Sequence, residues 1–143
     1  MIKIATITAA ETYFIRISVL RKGKTLSECP FDGDDAPTTI HLGLFVDEIL
    51  VGIVSVFKNS STLFAEVNQY QIRGMAVLDS YQQLGYGKLL ITAAQKSISF
   101  INNPLIWMNA REVAVPFYTK LQYETVGAPF LIHDIGTHYL MKK

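Results

Sequence analysis

The spacing of apolar positions changes period several times along the chain, and each change predicts a boundary between elements. Ile2 to Ile7 alternate as a short strand, and Thr8 with Glu11 three residues on is a capping-box signal for a helix. That helix is expected to run to about Leu20, burying Phe14, Ile17 and Leu20 on one face and stopping at Gly23. From Lys24 to Thr38 two prolines, Gly33 and the acids Glu28, Asp32, Asp34 and Asp35 predict a loop or a short irregular helix. Ile40, Leu42, Leu44 and Val46 then alternate with His41, Gly43 and Phe45. Asp47 and Glu48 interrupt before the apolar run Ile49 to Phe57, so the pair reads as a hairpin with a central second strand.

Lys58 to Thr62 is turn-like, and a long strand is expected from about Ala65 to Leu78. Beyond Gly87, Leu90, Ala94, Ile98 and Ile101 share one helical face until Asn102, Asn103 and Pro104 end it. Leu105 to Met108 is a short strand, Val113 to Leu121 an amphipathic helix, and Glu124 to Met141 two strands parted near Ile135 and Gly136. The order is that of one mixed α/β (α+β) domain over residues 1–143, with no repeat or low-complexity segment. The strand before Gly87 and the Leu105 strand, joined through a helix, should be parallel neighbours.

Composition narrows the partners. Half of the residues are hydrophobic and 17% charged, which supports a folded core. Thirteen Lys and Arg against 12 Asp and Glu leave a net charge of +1, so no global field or basic, aromatic-interleaved stripe favours nucleic acid or an anionic membrane. Any anion site must be local. A lone Cys29, read as incidental, allows neither an intrachain disulfide nor a cysteine-rich zinc site, and no metal is expected. No run of 18 apolar residues and no leader pattern is present, so a cytoplasmic location is the expectation.

The candidate anion site is QQLGYG, Gln82 to Gly87, between a strand and a helix. Gly85 and Gly87 let the backbone turn tightly and aim N–H groups at one point, where a helix exposes unpaired first-turn donors. Two familiar nucleotide loops fail on spacing. A dinucleotide fingerprint needs Gly where Leu90 stands; a Walker loop needs Gly at Gln82 and Ser or Thr at Leu89.

What fits is Gln or Arg, two variable residues, Gly, one variable residue, then Gly or Ala. This resembles the coenzyme A pyrophosphate loop of the GNAT superfamily of N-acetyltransferases. RGMAV, Arg73 to Val77, precedes it, and NAREVAVPFYTKLQYE, Asn109 to Glu124, looks like a second GNAT signature in the family's order and spacing. The resemblance implies a central, mostly antiparallel sheet of about six to seven strands with a splayed parallel pair, flanked by about four helices. It implies acetyl-CoA as acyl donor, transferred by direct attack to a small-molecule or peptide amine. Homodimers are common in the family, while the sequence itself is silent on oligomeric state.

Carried over residue by residue, the resemblance puts the pantetheine arm against backbone at Met75, Ala76 and Val77. It puts the pyrophosphate on Gln82, Gln83, Leu84, Gly85, Tyr86, Gly87 and Lys88. Asn109 and Arg111 lie where a polar cofactor contact commonly arises, though a structural strand end fits them equally. Tyr118 matches the tyrosine that hydrogen-bonds the leaving sulfur. With reference pKa values near 8.5 for a thiol and 10 for tyrosine, full proton transfer is uphill by about 2 kcal/mol, so hydrogen bonding to developing charge is the more effective role.

An amine of pKa about 10.4 is neutral at pH 7 in about one part in 2,500, costing about 4.6 kcal/mol unless the site removes its proton. Some family members place a glutamate where Gln71 stands, and glutamine cannot take that proton. This leaves open a non-catalytic acyl-CoA sensor or interaction module. Gln71, Arg73, His41 and His138 are the candidate acceptor contacts; Glu66, Glu28 and Asp34 are further candidates for a water-linked base. His41 and His138 also read as satisfied structural histidines, His133 as surface, and each loop acid as a solvated turn residue. Gln122 replaces the usual glycine at a helix end, at about 1 kcal/mol if its backbone is left-handed.

Overall fold

The computed structural model describes Met1–Lys143. β1 (Ile2–Thr6) leads into α1 (Ala9–Ile15), whose capping box forms as expected: Glu11 N–H donates to Thr8 Oγ1 at 3.2 Å, and Thr8 N–H to Glu11 Oε1 at 2.9 Å. β2 (Ile40–Val46) and β3 (Ile49–Lys58) make the hairpin, turning through Asp47 and Glu48 at φ 47° and 70°. Positive φ at both turn residues matches the twist of the strands they join. β4 (Gln69–Val77), α2 (Tyr86–Ser97) and β5 (Leu105–Arg111) follow, then α3 (Val115–Lys120), β6 (Glu124–Ile132) and β7 (Gly136–Lys142).

The seven strands form one sheet in the order β1-β2-β3-β4-β5-β7-β6, and only β4 and β5 run parallel. Leu90, Ile91, Ala94 and Ile98 of the α2 segment pack on Leu44, Val54 and Ile72, with Tyr118 of α3 in the same core. Ile15 of α1 meets Ile53 and Ala76 in a separate cluster. Sheet residues therefore sort into two apolar layers.

Three α-helices form rather than about four. Pro30, Gly33 and Pro37 limit the 24–38 stretch to one 3-10 turn, Leu26–Glu28, whose capping box between Thr25 and Glu28 lies outside any regular helix. β4 begins at Gln69, not near Ala65, because the Gln69 side chain fastens the preceding loop: it accepts from Ser61 N–H at 2.8 Å and donates to Glu66 O at 3.0 Å. β5 continues past Met108 to Arg111. Gln122 takes φ 74°, so the left-handed residue is present without its glycine.

The first helix departs most from its periodicity. Phe14 is 66% exposed, while Thr12, Ile15 and Arg16 are buried, and α1 passes into a π-helical turn, Arg16–Leu20, closed by Arg21 N–H to Arg16 O at 2.8 Å. A buried charge sets this face. The Arg16 guanidinium forms a two-pronged pair with Asp34, Nη1 to Oδ2 at 2.7 Å and Nη2 to Oδ1 at 3.0 Å, and also donates to Cys29 O and Ser55 Oγ. Asp34 is thus no solvated turn residue: its side chain is 3% exposed. The apolar template fails because it scores Arg16 as polar, whereas a fork paired to a carboxylate is compatible with burial.

His41 completes the network. Its Nε2 reaches Asp34 O at 2.9 Å, a carbonyl that can only accept, so Nε2 carries the proton and Nδ1 accepts from Ser55 Oγ at 2.7 Å. Burial alone would raise the Asp34 carboxyl, but the Arg16 hydrogen bond, the Phe31 N–H and the Arg16 charge outweigh it and hold the group below the usual carboxylate range. A folded pKa below the unfolded value means stability present above about pH 4 and lost as pH falls further. Asp34→Asn leaves Arg16 charged and buried, and is expected to cost about 3–5 kcal/mol in urea unfolding at pH 7 and to flatten the acid-side loss of stability.

Candidate functional site

β4 and β5 pair only from Gln69–Leu105 to Gln71–Trp107, and then part. The parting follows from the register of β4 with β3. Ile53 faces Ala76 and Ser55 faces Arg73, so β4 spends three residue steps where β3 spends two, and the extra residue lies at Gly74, φ 65°. Such a bulge bends its strand away from a straight neighbour. The cleft that opens has a volume of about 740 Å³ and is lined by Ile72 to Val77 on one side and Met108 to Arg111 on the other.

At one end of the cleft lies the glycine loop. Gly85, φ 86°, is the N-cap of α2 and offers no side chain to the first turn, whose earliest helical bond is Leu89 N–H to Gly85 O. The Tyr86, Gly87 and Lys88 N–H groups are therefore available to an anion, at the positive end of the helix dipole. Gln83, φ 62°, adds a second left-handed residue to the turn. A Cβ on Gly85 would meet nothing within 4 Å, so Gly85 is there for its dihedral. A Cβ on Gly87 would lie 3.2 Å from Phe117 Cζ, so Gly87 lets α3 approach.

Gln82 lines the cleft and braces the loop, donating to Val77 O at 2.9 Å and to Asp79 Oδ1 at 3.2 Å. Leu84 is exposed, and Lys88 lines the cleft from α2. Asn109 is an exposed lining residue on β5. Arg111 also lines the cleft, donating from Nη2 to Leu20 O at 3.1 Å to tie the end of β5 to the first helix.

Tyr118 comes from α3 and is buried edge-on between Phe117 and Tyr123. Burial, and after it the neighbouring Tyr123, pushes its phenol well above the usual tyrosine range, so it stays protonated and neutral. The hydroxyl has no protein partner, yet is not among the sealed, unsatisfied atoms, so it keeps access to the cleft it lines.

His138, buried on β7 opposite Arg111, lines the same space. Its Nδ1 lies 2.8 Å from Gly136 O; a carbonyl only accepts, so Nδ1 carries a proton, and in the neutral tautomer the lone pair is on Nε2. Gln71 marks the fork. Its Oε1 accepts from Asn59 Nδ2 at 2.8 Å. Arg73, next on that side of β4, is half-buried in the lining.

His41, Glu66, Glu28 and Asp34 lie outside the lining, and the lining contains no Asp or Glu. His41 and Asp34 are consumed by the Arg16 network, Glu28 caps its own turn through Thr25, and His133 is 95% exposed. Sequence reasoning missed Phe31, Arg21, Val19, Leu20, Ile132 and Ile135, which face the cleft from the first helix, the irregular loop and the β6–β7 turn. No local motif marks them, because they converge only through the fold.

The sequence matches the family model described as an acetyltransferase (GNAT) domain over residues 32–143. It is 35% identical over 143 residues to a protein of Bacillus subtilis (strain 168) named uncharacterized N-acetyltransferase YitI, covering all of this chain and 96% of that one. The fold is that of the crystal structure of Escherichia coli ElaA, with TM-score 0.77, 14% identity and coverage of 100% and 99% of the two chains. It is also that of Arabidopsis thaliana NAA60 in complex with acetyl-CoA, with TM-score 0.74, 16% identity and coverage of 100% and 98%.

If the α2 N-terminus is the anion cradle, Gly85→Glu should weaken coenzyme A binding by about 100-fold, since it brings negative charge against charge-assisted donors. Gly85→Asn, whose side chain tolerates left-handed backbone, should cost far less. Calorimetry reads both, and undiminished affinity in Gly85→Glu removes the loop from pyrophosphate binding.

Proposed function

The chain belongs to the GNAT acetyltransferase family, and on that footing we propose that it transfers an acetyl group from acetyl-CoA to a primary amine by direct attack in a ternary complex. One observation carries this reading: an uncapped helix N-terminus, a buried neutral phenol and a histidine with its lone pair on Nε2 all line one cleft. The NAA60 structure, solved with acetyl-CoA, supports the choice of donor.

Gln83 to Lys88 would hold the pyrophosphate with backbone N–H groups, with Lys88 adding charge. Backbone at Met75, Ala76 and Val77, freed from β5 by the splay, would hold the pantetheine arm and polarise the carbonyl. Asn109 and Arg111, which line the cleft from β5, would contact the same arm. The uncapped donors and the crowding of Gly87 against Phe117 fit such a ligand, because a side chain at either glycine would enter or distort the cradle. When bound, acetyl-CoA supplies an acyl group activated as a thioester.

The chain's own residues do the proton work. With no carboxylate in the lining and Gln71 unable to act, His138 Nε2 is the group in the cleft able to take the amine's proton. That removal offsets part of the roughly 4.6 kcal/mol of holding a neutral amine. Tyr118, kept protonated by burial, donates a hydrogen bond where charge develops on sulfur; its raised pKa makes outright proton transfer the weaker contribution.

Tyr118→Phe is expected to slow single-turnover acetylation about 100-fold while shifting acetyl-CoA affinity less than about threefold. His138→Gln should lower kcat by about 100-fold and remove the acidic limb of the pH–rate profile; an unchanged limb would exclude His138 as the base. The lack of any carboxylate in the lining also favours a second reading, a non-catalytic acyl-CoA-binding module. A free-thiol assay over amines, amino acids and peptides separates them: coenzyme A binding with no turnover of any acceptor selects the module.

A further inference from the structure

Phe31, from the irregular loop, is surrounded by guanidinium groups. Arg16 Cζ lies 3.8 Å from its ring centroid, Arg73 Cζ 4.4 Å and Arg21 Cζ 5.1 Å. Two of the three cations have hydrogen-bond partners: Arg16 has Asp34, and Arg21 donates to Glu28 O at 2.9 Å. Arg73 has neither an ion pair nor a hydrogen bond, although it is half-buried in the cleft wall. A cation removed from water without a partner is costly, and aromatic faces return only part of that cost. Burial, then the charges of Arg16 and Arg21, lowers its pKa from the usual arginine value against the weaker opposing pull of Asp34 and Asp32.

Arg73 lies on β4 between Gln71 at the fork and the Gly74 bulge. Four residue steps, one of them taken up by the Gly74 bulge, separate it from Val77 at the strand's end, roughly 10 Å at strand rise, before the glycine loop begins. An anion at Arg73 is therefore a different group from the pyrophosphate.

We propose that the acceptor is a small primary amine carrying its own oxyanion, a carboxylate or a phosphate, which the Arg73 guanidinium grips beside Phe31 while the amine faces His138. The proposal rests on the acetyl-transfer reading and names its substrate class. Arginine's fork matches a carboxylate or phosphate with two parallel hydrogen bonds. The same field disfavours polyamines, since a second ammonium would enter a cleft whose charged lining residues, Arg21, Arg73, Lys88 and Arg111, are all cations.

The test is a matched acceptor series with acetyl-CoA: α- and ω-amino carboxylates, the corresponding amino phosphates, the carboxamides, and diamines of equal length. Wild-type kcat/KM should favour an oxyanion over its carboxamide by about 10- to 100-fold, mainly through KM. The carboxylate and phosphate arms identify which oxyanion is used. Arg73→Gln should collapse that ratio to near one, and Arg73→Lys should restore part of it. Carboxamides or diamines preferred by wild type, or a ratio unchanged in Arg73→Gln, overturns the proposal while leaving acetyl transfer intact.

If no amine in the series is turned over, acetyl transfer to this class fails. Calorimetry of the same carboxylates and phosphates on the coenzyme A complex then decides the anion site alone: binding that Arg73→Gln abolishes supports it, and no binding refutes it. The wild-type ratio stands even if Arg73→Gln does not fold.

Discussion

One extra residue in β4 shapes everything that bears on function. The bulge at Gly74 lets β4 remain paired with β3 while it leaves β5 after Gln71, so a continuous sheet contains an open cleft. Gly74 is required twice over. Its φ of 65° is costly for a side chain, and an added Cβ would lie 2.9 Å from Phe31 Cε2. Phe31 in turn is packed by Arg16, whose charge is balanced by Asp34 and whose hydrogen bonds reach Cys29 O and Ser55. The bulge, the irregular loop and the end of the first helix thus form one packed unit, and the π-helical turn after α1 lies beside it.

The two sides of the splayed sheet have different tasks. Cys29, Asp34, His41 and Ser55 are absorbed by the buried Arg16 charge, which holds the irregular loop against β3. Such a pair confers little net stability over an apolar substitute, but removing one partner is severe, so it fixes geometry more than it adds free energy. Groups with free chemistry lie in the cleft instead: first-turn N–H donors, the Tyr118 hydroxyl, His138 Nε2 and the Arg73 guanidinium. Three come from elements on different edges of the gap, α2, α3 and β7, and meet there because β4 and β5 have parted. The charged residues of the lining are all cations, which suits an anionic ligand.

Much of this was legible in one dimension, and the failures share a cause. The Thr8–Glu11 cap, the β2–β3 hairpin, the α2 face through Leu90, Ala94 and Ile98, and the terminal pair of strands rest on interactions within a few residues, which spacing reports directly. QQLGYG likewise declares its own backbone, since left-handed Gly85 and uncapped first-turn donors are local properties. Asp34 looked solvated because its partner, Arg16, is 18 residues away, and the α1 face was misplaced for the same reason. The fourth helix failed to appear because Pro30, Gly33 and Pro37 outweigh the apolar content between them.

The sequence by itself determined the α/β order, the parallel β4–β5 pair and the glycine turn, because short-range periodicity, capping and glycine geometry encode them, and the resemblance of its motifs to a known family indicated the acetyltransferase membership. Only the tertiary structure decided which polar groups are spent and which remain free. His41 and His138 are both buried histidines on strands; the first has both nitrogens engaged, the second has one, and no pattern of neighbours along the chain distinguishes them. Arg16 and Arg73 differ in the same way, one paired with a carboxylate and one left to face the cleft. A hydrogen-bond partner supplied from a distant segment is a property of the folded chain, and here it separates the scaffold from the site.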